Sequence, residues 1–212
     1  RSADVRAEAE RRDARADEVH APTAFEPEGG FSSDRELATA QALAEYLRRA
    51  GITAVRGDRS LALVYAEAMR EAGVAIEYDP DLGVLERRAK DEQEIEWLRE
   101  AQSVTEECMT MACGMIAGAT PDRGGVLALD GAPLTSERVM VAIDLFLLER
   151  GYSNPGSIVA GGPLGADCHD HGHGPLRGGQ PVIIDIYPKN KTTKYNGDCT
   201  RTVVHGAVPD AL

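Results

Sequence analysis

Pro181-Val-Ile-Ile-Asp-Ile-Tyr187 is a β-prone run broken by one carboxylate, Asp185. After a polar, basic turn, Pro188 to Lys194, the chain resumes as Tyr195-Asn-Gly-Asp-Cys-Thr-Arg-Thr-Val-Val-His205. Two such runs joined by a short turn predict an antiparallel hairpin. A lone carboxylate buried in an apolar strand costs several kcal/mol unless it is paired or bound to a cation. Asp198 follows Asp185 by 13 residues, in the facing strand. A hairpin therefore brings the two carboxylates near each other. Close carboxylates repel, so the arrangement favours a cation between them. Hard oxygen donors suit Mn, Mg, Fe(II), Co or Zn. The alternative is that Asp185 caps a turn or pairs with Arg201 while Asp198 faces solvent. Arg201, between Thr200 and Thr202, reads equally as a support for one carboxylate or as an ordinary cross-strand ion pair.

Just upstream lies a second cluster, Cys168-His169-Asp170-His171-Gly172-His173-Gly174. Three histidines at alternate positions share one side if the backbone is extended. They could serve as metal ligands, general acids or bases, or donors to an oxyanion. They could equally be solvated side chains of a polar loop. A Cys168–His169 nucleophilic pair is disfavoured, because sequence neighbours rarely present both side chains to one substrate.

Moving outward, residues 1–18 are charged throughout and read as a solvated helix or a frayed terminus. Asp34 to Ala50 carries Leu37, Ala40, Leu43, Ala44 and Leu47 at helical spacing, with Gly51 as the stop. Ile52–Val55 reads as a strand, Ser60–Ala72 as a helix and Val74–Tyr78 as a strand. Helix, strand, helix, strand in 45 residues predicts a parallel α/β unit. A long helix follows from about Asp91 to Ala117, its methionine stripe read as core. Gly118 to Pro133 reads as a loop, Thr135 or Ser136 as the cap of another helix, and Ser157–Ala160 as a strand.

Hydrophobic residues make up 42% and charged residues 27%, as in an ordinary globular chain. No run approaches the roughly 20 apolar residues of a membrane span. With 23 basic against 35 acidic residues the net charge is −12, which repels nucleic acid, and aromatics at 5% offer little for base stacking. Neither a nucleic acid nor a membrane is an expected partner. Arg1 to Asp17 lacks a signal-peptide core, and the four cysteines are neither dense nor zinc-spaced. The expectation is a cytoplasmic protein with reduced thiols.

The set Ser157-Ile-Val-Ala-Gly-Gly162, the His169 loop, Val182-Ile-Ile-Asp-Ile-Tyr-Pro188 and Asn196-Gly-Asp-Cys-Thr-Arg-Thr202 resembles the M24 metallopeptidases. These are the creatinase, aminopeptidase P and methionine aminopeptidase relatives with the pita-bread fold. Arg88 to Ile95 resembles the opening of their catalytic domain, and Leu134-Thr-Ser-Glu-Arg-Val139 its second helix. The resemblance spans residues 86–208. It implies an α+β chain: part of a creatinase-type α/β N-terminal domain over 1–86, then the N-terminal half of a pita-bread domain over 87–212.

The resemblance also implies two divalent metal ions (Mn, Co, Zn or Fe) held by two Asp, one His and two Glu. Asp185 and Asp198 fall on the two Asp positions. His169 falls on the histidine that contacts substrate and assists proton transfer. A metal-activated water would attack the scissile carbonyl. The α/β stretch ahead of the catalytic part leans toward peptidases acting beside proline, Xaa-Pro aminopeptidases or prolidases, with a peptide substrate and a homodimer. His171 and His173 take no role. The remaining His and two Glu lie downstream of the Asp-x-Thr-Arg-Thr strand, so a fragment with little turnover of its own is expected. Two other readings remain: a peptidase-like module that binds peptide or protein without catalysis, and a metal-free creatinase-like amidinohydrolase.

Overall fold

A computed structural model describes residues 18–208. Residues 1–17 of the charged terminus read above lie outside that range. The chain divides between Ala89 and Lys90 into two compact units.

In the first unit, helix α1 (Arg35–Arg49) starts where the Asp34 side chain accepts from the Leu37 amide. It is followed by β1 (Ala54–Gly57), α2 (Leu63–Glu71), β2 (Ala75–Tyr78) and the short α3 (Val84–Arg88). Strands β1 and β2 pair in parallel, as helix–strand alternation predicts. Helix α2 starts three residues later than expected. Asp58 Oδ1 accepts from both the Ser60 amide and the Ser60 hydroxyl, which holds that stretch in a turn. Small side chains dominate the core: Ala40, Ala44, Leu47, Ala68, Met69 and Val74.

The second unit opens with α4 (Glu92–Ala117), whose start carries a capping box: Asp91 accepts from the Glu94 amide, and Glu94 from the Asp91 amide. The stretch expected to be a loop, Gly118–Pro133, instead holds a small antiparallel sheet of β3 (Thr120–Pro121), β4 (Leu127–Leu129) and β5 (Ala132–Pro133). Its second turn is Asp130-Gly131, both at positive φ, the geometry that suits two-residue hairpins. That dipeptide was the overlooked signal. Helix α5 (Ser136–Glu149) is capped by Thr135.

Strands β6 (Tyr152–Ser153), β7 (Ser157–Gly161), β8 (Pro181–Ile186), β9 (Lys189–Asn190) and β10 (Cys199–Val204) complete the unit. Strand β8 lies between β7 and β10, antiparallel to both. The expected hairpin is therefore present, but its connection is no bare turn. Within it β9 pairs with β6, and the second strand begins at Cys199 rather than Tyr195. One face of the three-stranded sheet packs on the helices. Val159, Val182, Ile184 and Ile186 join Ala101, Cys108, Ala112, Val139, Ile143 and Leu147 in one core. Among the described residues no helix is long and apolar enough to cross a membrane.

Candidate functional site

Side chains along a strand alternate between faces, and in β8 the alternation decides the surroundings of Asp185. Val182, Ile184 and Ile186 are buried, while Pro181, Ile183 and Asp185 are half-buried on the opposite face. The carboxylate thus stands on the open face of the sheet, not inside an apolar core. The sequence reading of a buried carboxylate is corrected to that extent: the run is β-branched throughout, but only every second residue enters the core.

Asp185 is the cross-strand partner of Ile158 on β7 and Thr200 on β10. The Thr200 hydroxyl donates to Asp185 Oδ1 at 2.5 Å. Among the described residues the other oxygen, Oδ2, has no protein hydrogen-bond partner. Arg201 is the cross-strand partner of Ile184, so it belongs to the other face and donates instead to the neighbouring Thr200 carbonyl at 2.7 Å. The Asp185–Arg201 pair considered from sequence is not formed. Among the described residues no basic side chain forms an ion pair with Asp185 or Asp198.

Asp198 precedes β10. Exposure alternates through exposed Asp198, buried Cys199 and exposed Thr200, which places Asp198 on the face of Thr200 and Asp185. The structure therefore brings both carboxylates to one sheet face. Asp198 is fixed from behind by α4. Its amide donates to Gln102 Oε1 at 3.1 Å, and the Gly197 amide to the Pro188 carbonyl at 3.1 Å. Gly197 lies so close to α4 that an added Cβ would meet Thr105 Oγ1 at 2.0 Å and the Ala101 carbonyl oxygen at 2.5 Å. Only glycine lets this backbone reach the helix. Neither Gln102 nor Gly197 was singled out from sequence; the glycine next to Asp198 was the available signal.

The histidine loop behaves differently. His169 is exposed, its side chain at 92% of full accessibility. His171 turns back to the sheet, with Nδ1 3.1 Å from the Ser157 carbonyl oxygen. Gly172, between His171 and His173, has positive φ, so the backbone is not extended through the three histidines as alternation would need. Gly172 passes so near β7 that a Cβ would sit 1.9 Å from the Val159 carbonyl oxygen. Two further bonds anchor the loop. The Val159 amide donates to the His171 carbonyl at 2.9 Å, and the Gly174 amide to Glu137 Oε1 at 2.9 Å. That Gly174 amide, with the Thr135 hydroxyl, holds the Glu137 carboxyl below the usual carboxylate range.

A cavity of about 180 Å³ opens where the sheet face meets this loop. Asp185, Thr200, Ile158 and Ile183 form its sheet side; Asp167 and Cys168 come from the loop. His169 is adjacent in sequence but does not line it. Of the other thiols, Cys108 and Cys199 are buried and Cys113 is half-buried. Burial pushes Cys108 up to about 12 and raises Cys113 above its usual range.

The metallopeptidase family M24 model matches residues 96–212. No curated protein sequence matches the chain. Several solved structures do. A prolidase from Pyrococcus furiosus is 19% identical with TM-score 0.63, over 78% of this chain and 46% of its own. An Xaa-Pro dipeptidase from Bacillus anthracis is 21% identical with TM-score 0.67, over 82% and 46%. An X-Pro aminopeptidase from Thermotoga maritima is 18% identical with TM-score 0.64, over 81% and 46%. This chain spans a little under half the length of those proteins. The likeness is one of fold, and it is the pita-bread fold that the Asp-bearing strands resemble. With the family model covering more than half of the residues, the chain belongs to metallopeptidase family M24.

Proposed function

We infer that this chain contributes Asp185, Asp198 and His169 to a two-metal peptidase that cleaves peptides beside proline. One observation carries the reading: Asp185 lines a cavity on the open sheet face, Asp198 lies on that same face by alternation, and neither has a basic partner among the described residues. Such a donor set fits hard divalent cations. When bound, a pair of cations supplies an acidified water and polarises a carbonyl oxygen.

The chain's own residues do the rest. Thr200 fixes the rotamer of Asp185 through Oδ1 and leaves Oδ2 for a cation. Gln102 and Gly197 fix the backbone of Asp198. His169 is read as the donor of a hydrogen bond to bound peptide; its side chain is exposed, and its neighbours Asp167 and Cys168 line the cavity. Ile158 and Ile183 give that cavity an apolar wall. The direction toward Xaa-Pro substrates is supported by the printed names of the similar structures and by how far the likeness runs. At 82% of the chain it exceeds the second unit and extends into the first, which supports a creatinase-type domain there. The metal is read as Mn, Co, Zn or Fe, the assembly as a homodimer and the setting as cytoplasmic.

Equilibrium dialysis of the 212-residue chain against Mn2+ tests the reading. Asp185→Asn and Asp198→Asn should each weaken uptake by more than about tenfold, the scale reached even by residues that only support metal ligands. Xaa-Pro peptides should bind the Mn2+-loaded chain more tightly than matched peptides lacking proline. Unchanged Mn2+ uptake in both variants would sink the metal assignment. Equal affinity for both peptide sets would sink the proline preference.

A further inference from the structure

Three donors of different chemistry meet on the histidine loop, and two of them, Asp167 and Cys168, line the Asp185 cavity. Asp167, Cys168 and His169 each offer one ligand atom, and the three atoms lie within 4.8 Å of one another. Cys168 Sγ is 3.5 Å from His169 Nδ1, and that nitrogen is 3.9 Å from Asp167 Oδ1. We propose that Asp167, Cys168 and His169 form a separate site for a thiophilic divalent cation of the Zn2+ class, at the rim of the Asp185 cavity.

One of the donor separations matches a tetrahedral zinc site and a second is near it. With Zn–S near 2.3 Å and Zn–N and Zn–O near 2.0–2.1 Å, tetrahedral edges come to about 3.5 Å for S···N and about 3.4 Å for N···O. The first equals the distance found. The second is about half an ångström shorter than the distance found, a gap that small χ rotations of two exposed side chains close. Thiolate, imidazole and carboxylate together select a borderline-soft metal over Mg2+ or Mn2+, whereas the all-oxygen pair Asp185 and Asp198 has the opposite preference. Three protein ligands leave a fourth position for water or for a ligand in the cavity. Asp167 and Cys168 line the same cavity as Asp185.

The loop also presents the donors in a fixed order. Asp167 Oδ1 accepts the His169 amide at 2.9 Å, which folds the acidic side chain back over the residues after it. Metal binding breaks the Cys168 S–H bond, forms an S–metal bond and passes the proton to water. One consequence rests on the function inferred above: a cation on His169 Nδ1 leaves Nε2–H as the nitrogen that can donate to a peptide.

Co2+ substitution tests the site without any activity assay. The 212-residue chain titrated with Co2+ should develop a thiolate-to-cobalt charge-transfer band in the near ultraviolet, which Zn2+ displaces. Cys168→Ser should abolish the band, with the fold checked by circular dichroism. Asp167→Asn and His169→Ala should each weaken Zn2+ affinity by more than about tenfold. Asp185→Asn should keep the band, so failure of the carboxylate pair is told apart from failure of this site. No band in the unaltered chain, or a band that survives Cys168→Ser, overturns the proposal. The remaining thiols are poor substitutes, since Cys108 and Cys199 are buried and Cys113 is half-buried.

Discussion

The strand pair β8–β10 and the histidine loop face the same cavity yet are held by opposite means. The strands are fixed by a six-pair ladder and by burial of every second side chain. The loop is fixed by glycines that touch backbone and by a few bonds to neighbouring elements. Removing core atoms should therefore unfold the strands, whereas the loop should detach through a single misplaced methyl. Donors on the ladder can be located to one side chain; donors on the loop remain free to turn toward solvent, as His169 does.

The strongest way to break this contrast is Ile184→Ala. Ile184 is fully buried in the core, and its truncation should cost about 4 kcal/mol in urea unfolding of the second unit. Gly172→Ala comes next, at about 3 kcal/mol, from a Cβ against the Val159 carbonyl at positive φ. Its signature is local. Hydrogen exchange at the Val159 amide should accelerate while exchange along the β8–β10 ladder stays slow. Equal acceleration of both would erase the distinction between the regions. Thr200→Val should cost about 1 kcal/mol by removing the bond to Asp185, with weakened Mn2+ uptake as its more specific readout.

The smallest effect concerns acid. The Glu137 carboxyl is held below its ordinary range by the Gly174 amide and Thr135. A depressed carboxyl stabilises the folded form above its unfolded value, near 4.3, and that contribution fades as pH falls through the lower folded value. Loop anchoring should thus weaken below about pH 4, and Glu137→Gln should flatten the acid limb of a pH–stability curve. An unchanged acid limb would remove Glu137 from the list of loop anchors.

How far each region could be read from sequence follows the same contrast. The ladder was legible because period-two burial and β-branching are local properties: PVIIDIY announces a strand, and the second run after the polar turn announces its hairpin partner. The register was not legible. Whether Arg201 or Thr200 meets Asp185 depends on a one-residue shift, and that shift moves a side chain to the other face. In the loop, alternate histidines looked like an extended array, but Gly172 at positive φ turns the chain between His171 and His173. The small sheet β3–β5 was missed because its strands have two or three residues, too few for any periodicity. The clamp on Asp198 could not be foreseen at all. Gln102 and Thr105 are ordinary helix residues until the fold brings Gly197 against them.

That clamp sets an order of events in time. Asp185 and Thr200 are 15 residues apart and can meet as soon as a hairpin closes, a process of microseconds. Asp198 and Gln102 are 96 residues apart, so their bond waits for α4 to dock on the finished strands. The expected order is that Asp185 is in place before Asp198. Mn2+ added during refolding should therefore meet a single-carboxylate intermediate first and register full affinity only when the helix arrives.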